Sequence, residues 1–228
     1  MRSKVFIVCI IICHSALSLF AQNKNDRFHV FGSESKLQLN GYIGPSLAFS
    51  NVEGFLSMDA GATAGFFVNR KFFIGLYGQK LLSNVPRTDL ATIGFPTYTG
   101  GNVHMSHAGG VLGWIHNTNK AQQWGLSGSA GIGKLELLAR SPTNIYEDKL
   151  YKDIMIILIP KIFMELSMTG WLKINMSAGC RVLGKVNTKY TNQAGESIRV
   201  FQGSDNIKPE FSVSFLFGSF DFRTATIF

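Results

Sequence analysis

The sequence is poor in charge and, beyond its first residues, has no long apolar run. Charged side chains make up only 16% of the 228 residues, whereas about a quarter is typical of soluble globular proteins. This deficit indicates that much of the surface faces something other than water. The longest internal apolar run, Ile154 to Pro160, is far shorter than the ~20 residues of a membrane helix. Because only helices and closed barrels satisfy every backbone group in lipid, a closed β-barrel remains.

Cysteine is scarce, and basic residues do not cluster. Cys9 and Cys13 lie in the N-terminal segment, so Cys180 is the only other cysteine, which excludes an intramolecular disulfide framework and a cysteine-cluster metal site. The formal charge of +8 is scattered, without a basic run interleaved with aromatic residues, and nucleic-acid binding is therefore not predicted. No cofactor and no metal site are predicted.

The first 21 residues have the organisation of a secretory signal peptide. Arg2 and Lys4 precede the apolar stretch Val5–Cys13, and the small residue Ala21 ends the segment, so cleavage is expected near Ala21. Ile11 and Ile12 stand where a lipoprotein needs small residues, and lipidation is not expected. We predict a periplasmic tail over residues 22–36, a barrel over 37–220 and a C-terminal extension over 221–228.

The rest of the chain alternates apolar and polar residues with period two, the pattern of half-buried strands. Connections from the second onward alternate short and long, as in transmembrane barrels with short periplasmic turns and longer outer loops. The predicted fold is an all-β, antiparallel up-and-down transmembrane β-barrel of about eight strands. The predicted strands are 37–50, 56–66, 72–82, 103–116, one starting at Trp124, 154–168, 171–186 and one over 211–218. A charged loop is predicted over 140–153.

The two faces of the predicted sheet differ in polarity. One face is apolar, and the other is rich in Ser and Gly, as a narrow barrel interior requires. Charges of both signs fall on this second face, and Glu165 is expected opposite Lys173. We therefore predict an internal ion-pair network of Asp59, Lys161, Glu165, Lys173 and Arg181. The alternative prediction is a soluble, lipocalin-like ligand-binding barrel in the periplasm. In such a barrel these charges would lie on the outside and face water.

Three tryptophans flank the predicted short connections. Trp114, Trp124 and Trp171 stand where transmembrane barrels carry aromatic residues at the membrane interface. Trp171 falls on the polar side of its strand's alternation, so only the other two fit the pattern cleanly.

The segment Phe215-Leu216-Phe217-Gly218-Ser219-Phe220 is similar to the aromatic-rich terminal strand of outer-membrane barrels. With the strand pattern of residues 37–220, the chain resembles the small OmpA/OmpX-type barrel family. The resemblance implies insertion into the outer membrane by the barrel-assembly machinery, in contact with outer-membrane lipid and lipopolysaccharide. Residues 221–228 depart from the family by continuing beyond this strand, and the family fixes no single activity.

Two short motifs suggest chemistry. The segment Gly128–Leu135 approaches a nucleotide-binding P-loop, but Leu135 replaces the required Ser or Thr and no helix pattern follows. His104 and Ser106 share a strand face, and with Ala108-Gly109 they resemble the His-x-Ser element of outer-membrane lipid A deacylases, although no acidic partner stands at matching spacing.

The principal prediction is a non-enzymatic barrel with a structural or surface-interaction role and no large pore, because eight strands enclose only their own side chains. A lipid A deacylase-like hydrolase using Ser106 and His104 is the alternative.

Overall fold

The alternating sequence forms strands along most of the chain that the structure describes. The computed structural model describes residues 39–52, 54–88, 90, 95, 98, 100–116, 121–140, 147–184, 189–191, 197–199 and 207–220. The predicted signal peptide, N-terminal tail and C-terminal extension lie outside these residues, so they stay predictions.

Eleven strands occur within the described residues. They are β1 (Leu39–Val52), β2 (Phe55–Val68), β3 (Phe72–Leu81), β4 (Val85–Arg87), β5 (Gly101–His116), β6 (Gln122–Arg140), β7 (Glu147–Ser167), β8 (Leu172–Gly184), β9 (Lys189–Thr191), β10 (Ser197–Arg199) and β11 (Ile207–Gly218). Within the part of the chain that the structure describes, no helix has the length and apolar content to cross a membrane.

Eight of these strands form one closed antiparallel barrel. Their order is β3-β2-β1-β11-β8-β7-β6-β5, and β3 pairs with β5 to complete the circle. Short β4 pairs with the first residues of β5, and β9 and β10 form a separate two-stranded sheet. Closure removes the free edges that an open sheet would expose. The predicted eight-stranded, antiparallel up-and-down barrel is confirmed.

Apart from the short first connection, 53–54, the two ends of the barrel differ in the length of their connections. We call the end with connections 69–71, 117–121 and 168–171 the turn end, and the end with 53–54, 82–100, 141–146 and 185–206 the loop end. The predicted charged loop over 140–153 is wrong, because β6 continues to Arg140 and β7 starts at Glu147. The ladder between β6 and β7 continues through this region, with Leu138 paired to Lys149 and Ala139 paired to Asp148.

The tightest turn of the turn end depends on two residues with positive φ. Asn69 has φ 49° and Arg70 has φ 58°, and the amide of Lys71 donates to the carbonyl oxygen of Val68 at 3.2 Å. Two consecutive positive φ angles match the twist of the flanking strands, which is why such turns connect hairpins. The predicted short connection between the second and third strands is confirmed.

The outer face of the barrel is apolar. Large hydrophobic side chains point outward from all eight barrel strands, among them Ile43, Leu56, Phe66, Leu76, Leu112, Ile132, Leu158, Ile174, Phe211 and Phe215. Leu56 is 80% exposed and Leu76 is 71% exposed. A soluble barrel turns its apolar face inward, whereas a transmembrane barrel turns it outward. The fold is therefore that of a transmembrane β-barrel, with the apolar face directed as the sequence predicts.

Three layers of side chains fill the interior. An apolar layer occupies the loop end and includes Leu81, Val85, Leu90, Phe95, Val103, Met105, Leu135, Leu137, Met155, Ile157 and Ile159. An aromatic-rich layer occupies the turn end and consists of Tyr42, Phe67, Phe73, Ile115, Phe163, Leu216 and Phe220. A cluster of charged residues lies between the two, and a second ion pair, Glu165 with Lys173, lies beside the aromatic-rich layer. The sequence predicts the charged layer but not the apolar one at the loop end.

Candidate functional site

The central feature of the interior is one arginine that bridges two carboxylates. Arg181 on β8 donates from Nε to Glu210 Oε2 at 2.7 Å, and its Nη2 pairs with Asp59 Oδ2. All three side chains are at most 1% exposed. Charge-assisted hydrogen bonds of this kind are stronger than neutral ones, and here they join β2, β8 and β11 across the barrel.

Lys161 extends this cluster toward β7. Its Nζ lies 2.7 Å from Glu210 Oε1 and donates to Ser212 Oγ at 3.2 Å. Ser212 in turn contacts Ser177 at 2.6 Å between the two hydroxyl oxygens. Glu210 thus receives two cations, which offsets much of the cost of burying its charge. Glu210 is an essential member of the cluster that the sequence prediction omits.

A second ion pair lies nearer the turn end. Lys173 Nζ is 3.0 Å from Glu165 Oε2 and also donates to Gln123 Oε1 at 3.4 Å. The expectation that these two charges stand directly opposite each other is wrong: Glu165 pairs with Asn175, and Lys173 pairs with Ser167. The contact is diagonal, which long side chains can span.

The second ion pair is also joined to the aromatic-rich layer. Lys173 Nζ lies 4.8 Å from the ring centroid of Phe67 and 5.0 Å from that of Phe220. A cation over aromatic rings is stabilised by their negative faces. The structure therefore places all five sequence-predicted charges inside the barrel, in two clusters rather than one network.

A small cavity with a mixed polar and apolar lining remains between these clusters. Its volume is about 80 Å³, and its polar lining includes Ser46, Thr63, Ser127, Ser129, Ser177, Ser212, Ser214, Lys161 and Glu165. Binding sites for drug-sized ligands are typically about 300–1,000 Å³. The cavity is thus too small for such a molecule. Within the described residues no group of His, Cys, Asp and Glu is arranged to hold a metal ion.

The mouth at the loop end is covered by part of the connection 82–100. Val85 and Leu90 are fully buried in the apolar layer, and Phe95 is 8% exposed. Tyr98 donates to Asp148 Oδ2 at 3.0 Å, and this hydrogen bond raises the pKa of the Tyr98 phenol. These contacts attach the connection both to the interior and to β7, so the barrel has a cover at this end.

The three tryptophans lie on the outside of the barrel at the turn end. Trp114 and Trp124 meet edge to face with ring centroids 6.2 Å apart. Trp171 is 58% exposed and stacks on Phe217 at 6.0 Å. The sequence pattern puts Trp171 on the polar side of its strand, but Trp171 lies before the first residue of β8. The inward and outward alternation of β8 therefore does not fix the direction of its side chain. Their position at a membrane interface stays a prediction.

The residues of the alternative hydrolase lie on the outer face of β5. His104 and Ser106 alternate with the buried residues Val103, Met105 and His107. The structure adds an acidic neighbour that the sequence did not locate: Glu136 on β6 is the cross-strand partner of His104. Among the described residues, no hydrogen bond links His104 to Ser106 or to Glu136, and Glu136 Oε1 instead accepts from Lys149. The P-loop-like segment 128–135 lies within strand β6.

The comparisons with known proteins agree with the fold. No family model and no curated protein matches the sequence. The structure is similar to Neisserial surface protein A (TM-score 0.51, 8% identity), covering 80% of this chain and 99% of that chain. It is also similar to a major outer membrane protein from Thermus thermophilus (TM-score 0.52, 5% identity), covering 78% of this chain and 99% of that one. Identities this low show a shared fold alone: the chain has the fold of the small outer-membrane β-barrel proteins.

Proposed function

We propose that this chain is an outer-membrane β-barrel with a structural or surface-interaction role and no large pore. The observation that carries the proposal is the filled interior, in which an apolar layer, a charged layer and an aromatic-rich layer follow one another along the axis. A transport channel needs a continuous polar path, and the apolar layer at the loop end supplies none. The proposal includes export through cleavage near Ala21 and insertion by the barrel-assembly machinery.

The outer face supports a membrane location rather than the soluble lipocalin-like alternative. Exposed side chains such as Leu76 and Ile132 would cost free energy in water, at about 25 cal/mol per Å² of apolar surface. Strands β6 and β7 also continue past the apolar belt at the loop end, where their sequence becomes charged. In the proposed role, these strand ends and the loop-end connections make contacts outside the cell.

Conductance tests the absence of a pore. We expect the full-length protein, extracted from membranes with detergent and inserted into planar phosphatidylcholine bilayers, to give no large stable channels, because the apolar layer at the loop end excludes ions. Insertion is checked in the same sample by heat-modifiable migration on a gel. Recovery of the exported protein in the soluble fraction, or large open channels from folded barrels, contradicts the proposal.

A second function is favoured by one observation, the position of Glu136 across from His104. Ser106, His104 and Glu136 lie together on the outer face, and a serine, a base and an acid are the components of an activated nucleophile. In this second proposal the chain hydrolyses an acyl ester of a membrane lipid, with Ser106 as nucleophile. The substrate reaches the outer face from the surrounding lipid.

The hydrolase proposal is tested on lipopolysaccharide. If it is right, the purified wild-type protein releases fatty acid, and Ser106→Ala lowers the rate by at least about 1,000-fold, because the nucleophile is lost. Ser129→Ala is the control, since Ser129 lies on the opposite, inner face of β6. Absence of fatty-acid release by the wild type rejects this second function and leaves the first proposal intact.

A further inference from the structure

We infer that four lysines on the outer face of the barrel form a docking site for the phosphate-bearing headgroup of lipid A. We call Lys80, Lys134, Lys149 and Lys152 the lysine patch. All four side chains are exposed. The inference rests on the proposed function, because it requires that the barrel lie in the outer membrane with its loop end outward.

Strand register brings the lysine patch together on β3, β6 and β7, with β5 between β3 and β6. Lys80 on β3 is the cross-strand partner of Ser106 on β5, and Ser106 is the partner of Lys134 on β6. Two residues closer to the loop end, His104 pairs with Glu136, and Glu136 pairs with Lys152 on β7. Neighbouring strands lie about 4.8 Å apart, so the three spacings from β3 to β7 span about 14 Å.

The lysine patch lies where the apolar belt ends. Ile132, the next outward residue of β6 toward the turn end, is 69% exposed, and Leu76 and Ile154 are 71% and 63% exposed. A ligand that contacts both regions carries anionic groups at one end and hydrocarbon at the other. A free phosphate ion would use only the lysines, whereas a phosphorylated lipid satisfies the charge and the apolar surface together.

The distribution of charge on the outer face is one-sided. The described outward positions of β1, β2, β8 and β11 carry no charged side chain. All the outward charges of the described barrel strands therefore lie in the sector of β3, β5, β6 and β7. A general attraction to an anionic membrane would not require the charges to lie on one side of the barrel. Because the outward charges are confined to one sector, we infer a specific lipid site there.

The lysine patch retains positive charge after its internal pairing is counted. Among the outward residues whose side chains the structure describes, Glu136 is the one carboxylate; its Oε1 lies 2.9 Å from Lys149 Nζ and 3.8 Å from Lys134 Nζ. Within the described residues, no close ion pair joins Lys80 or Lys152 to a carboxylate, although Lys152 stands across from Glu136. Lysine ammonium groups bind phosphate as point charges, so two unpaired and two shared lysines suit a headgroup with more than one phosphate.

Lipid binding by matched variants tests the inference. Wild type, Lys134→Gln/Lys152→Gln and the charge-matched control Arg70→Gln/Lys71→Gln at the turn end are refolded in phosphatidylcholine nanodiscs without lipopolysaccharide. Lipid A is then added in increasing amounts, and native mass spectrometry counts the lipid A molecules bound to each barrel. Each lysine near an anionic lipid surface contributes about fivefold to the binding affinity. We therefore expect the patch variant to bind lipid A roughly 30-fold more weakly than wild type, and the affinity of the control to stay within about twofold of wild type. Dephosphorylated lipid A and phosphatidylglycerol are expected to bind the wild type about 10-fold more weakly than lipid A.

The outcomes separate this inference from the proposed function. Equal affinity of wild type and patch variant, an equal loss in the turn-end control, or phosphatidylglycerol binding as tightly as lipid A overturns the docking site. Heat-modifiable migration shows whether each sample has folded. A folded barrel without selective lipid A binding overturns the docking site alone, whereas a wild type that fails to fold into phosphatidylcholine contradicts the membrane location itself.

Discussion

Replacing Arg181 with methionine is expected to lower the free energy of unfolding of the barrel by about 3–5 kcal/mol, the usual cost of removing one partner from a buried ion pair. The substitution leaves Asp59 without a cation and leaves Glu210 with Lys161 alone. Asp59 is fully buried, so water cannot replace the lost guanidinium. Equilibrium unfolding by guanidinium chloride in phosphatidylcholine vesicles, followed by tryptophan fluorescence, measures the change.

Two further variants show that the loss comes from unpaired charge. Lys149→Met removes a cation from a half-exposed pair with Glu136 and is expected to cost no more than about 1 kcal/mol, because exposed ion pairs contribute little. Asp59→Asn combined with Arg181→Met leaves one cation, Lys161, with one carboxylate, Glu210. This double variant should recover much of the stability lost in Arg181→Met. The explanation fails if Arg181→Met is no less stable than Lys149→Met.

The sequence predicts the strands and their faces because alternation is a local property. The outward residues of β1 and β2, such as Ile43 and Phe66, are apolar, and inward Ser46 and Asp59 are polar or charged. No tertiary information is needed to read that difference. The same alternation places Asp59, Lys161, Glu165, Lys173 and Arg181 on the inner face before any partner is known.

The sequence does not specify which inward charges meet. Glu210 follows Pro209 in a stretch that reads as the end of a loop, so its inward position appears only once β11 is seen to begin at Ile207. The diagonal contact of Glu165 with Lys173 depends on the exact register of β7 and β8. Glu136 and His104 are distant in sequence and become neighbours only through the register of β5 and β6.

The sequence does not predict the apolar layer at the loop end, and the reason is different. Ile157 and Ile159 point inward from β7, whose outer face is also apolar, so the alternation disappears in the run from Ile154 to Pro160. Val85, Leu90 and Phe95 lie in a long connection whose overall composition is polar. A local pattern cannot show that these few side chains fold into the mouth of the barrel. Consequently the sequence predicts a closed interior from strand number, but not the residues that close it.

Close packing of backbones at the seam between the first and last strands leads to the second large effect. β1 pairs with β11 on both sides of Gly44, at Ile43 with Phe217 and at Ser46 with Ser214. A Cβ atom at Gly44 would overlap the carbonyl oxygen of Phe215, and it would lie 2.7 Å from that carbonyl carbon and 3.1 Å from the Cα of Leu216. These are backbone atoms, which cannot move aside by a change of rotamer.

Gly44→Ala is therefore expected to separate β1 from β11 and to cost about 3 kcal/mol or more, at the upper end of the range for overpacking. Gly128→Ala is the control, because a Cβ atom there has no neighbour within 4 Å; the change is expected to stay within about 0.5 kcal/mol. Refolding yield in phosphatidylcholine vesicles, read as the heat-modifiable fraction, compares the two variants with wild type. Because β1–β11 is the seam that joins the two ends of the barrel sequence, loss of pairing there opens the barrel, and equal yields for both variants would show that the seam has room for a side chain.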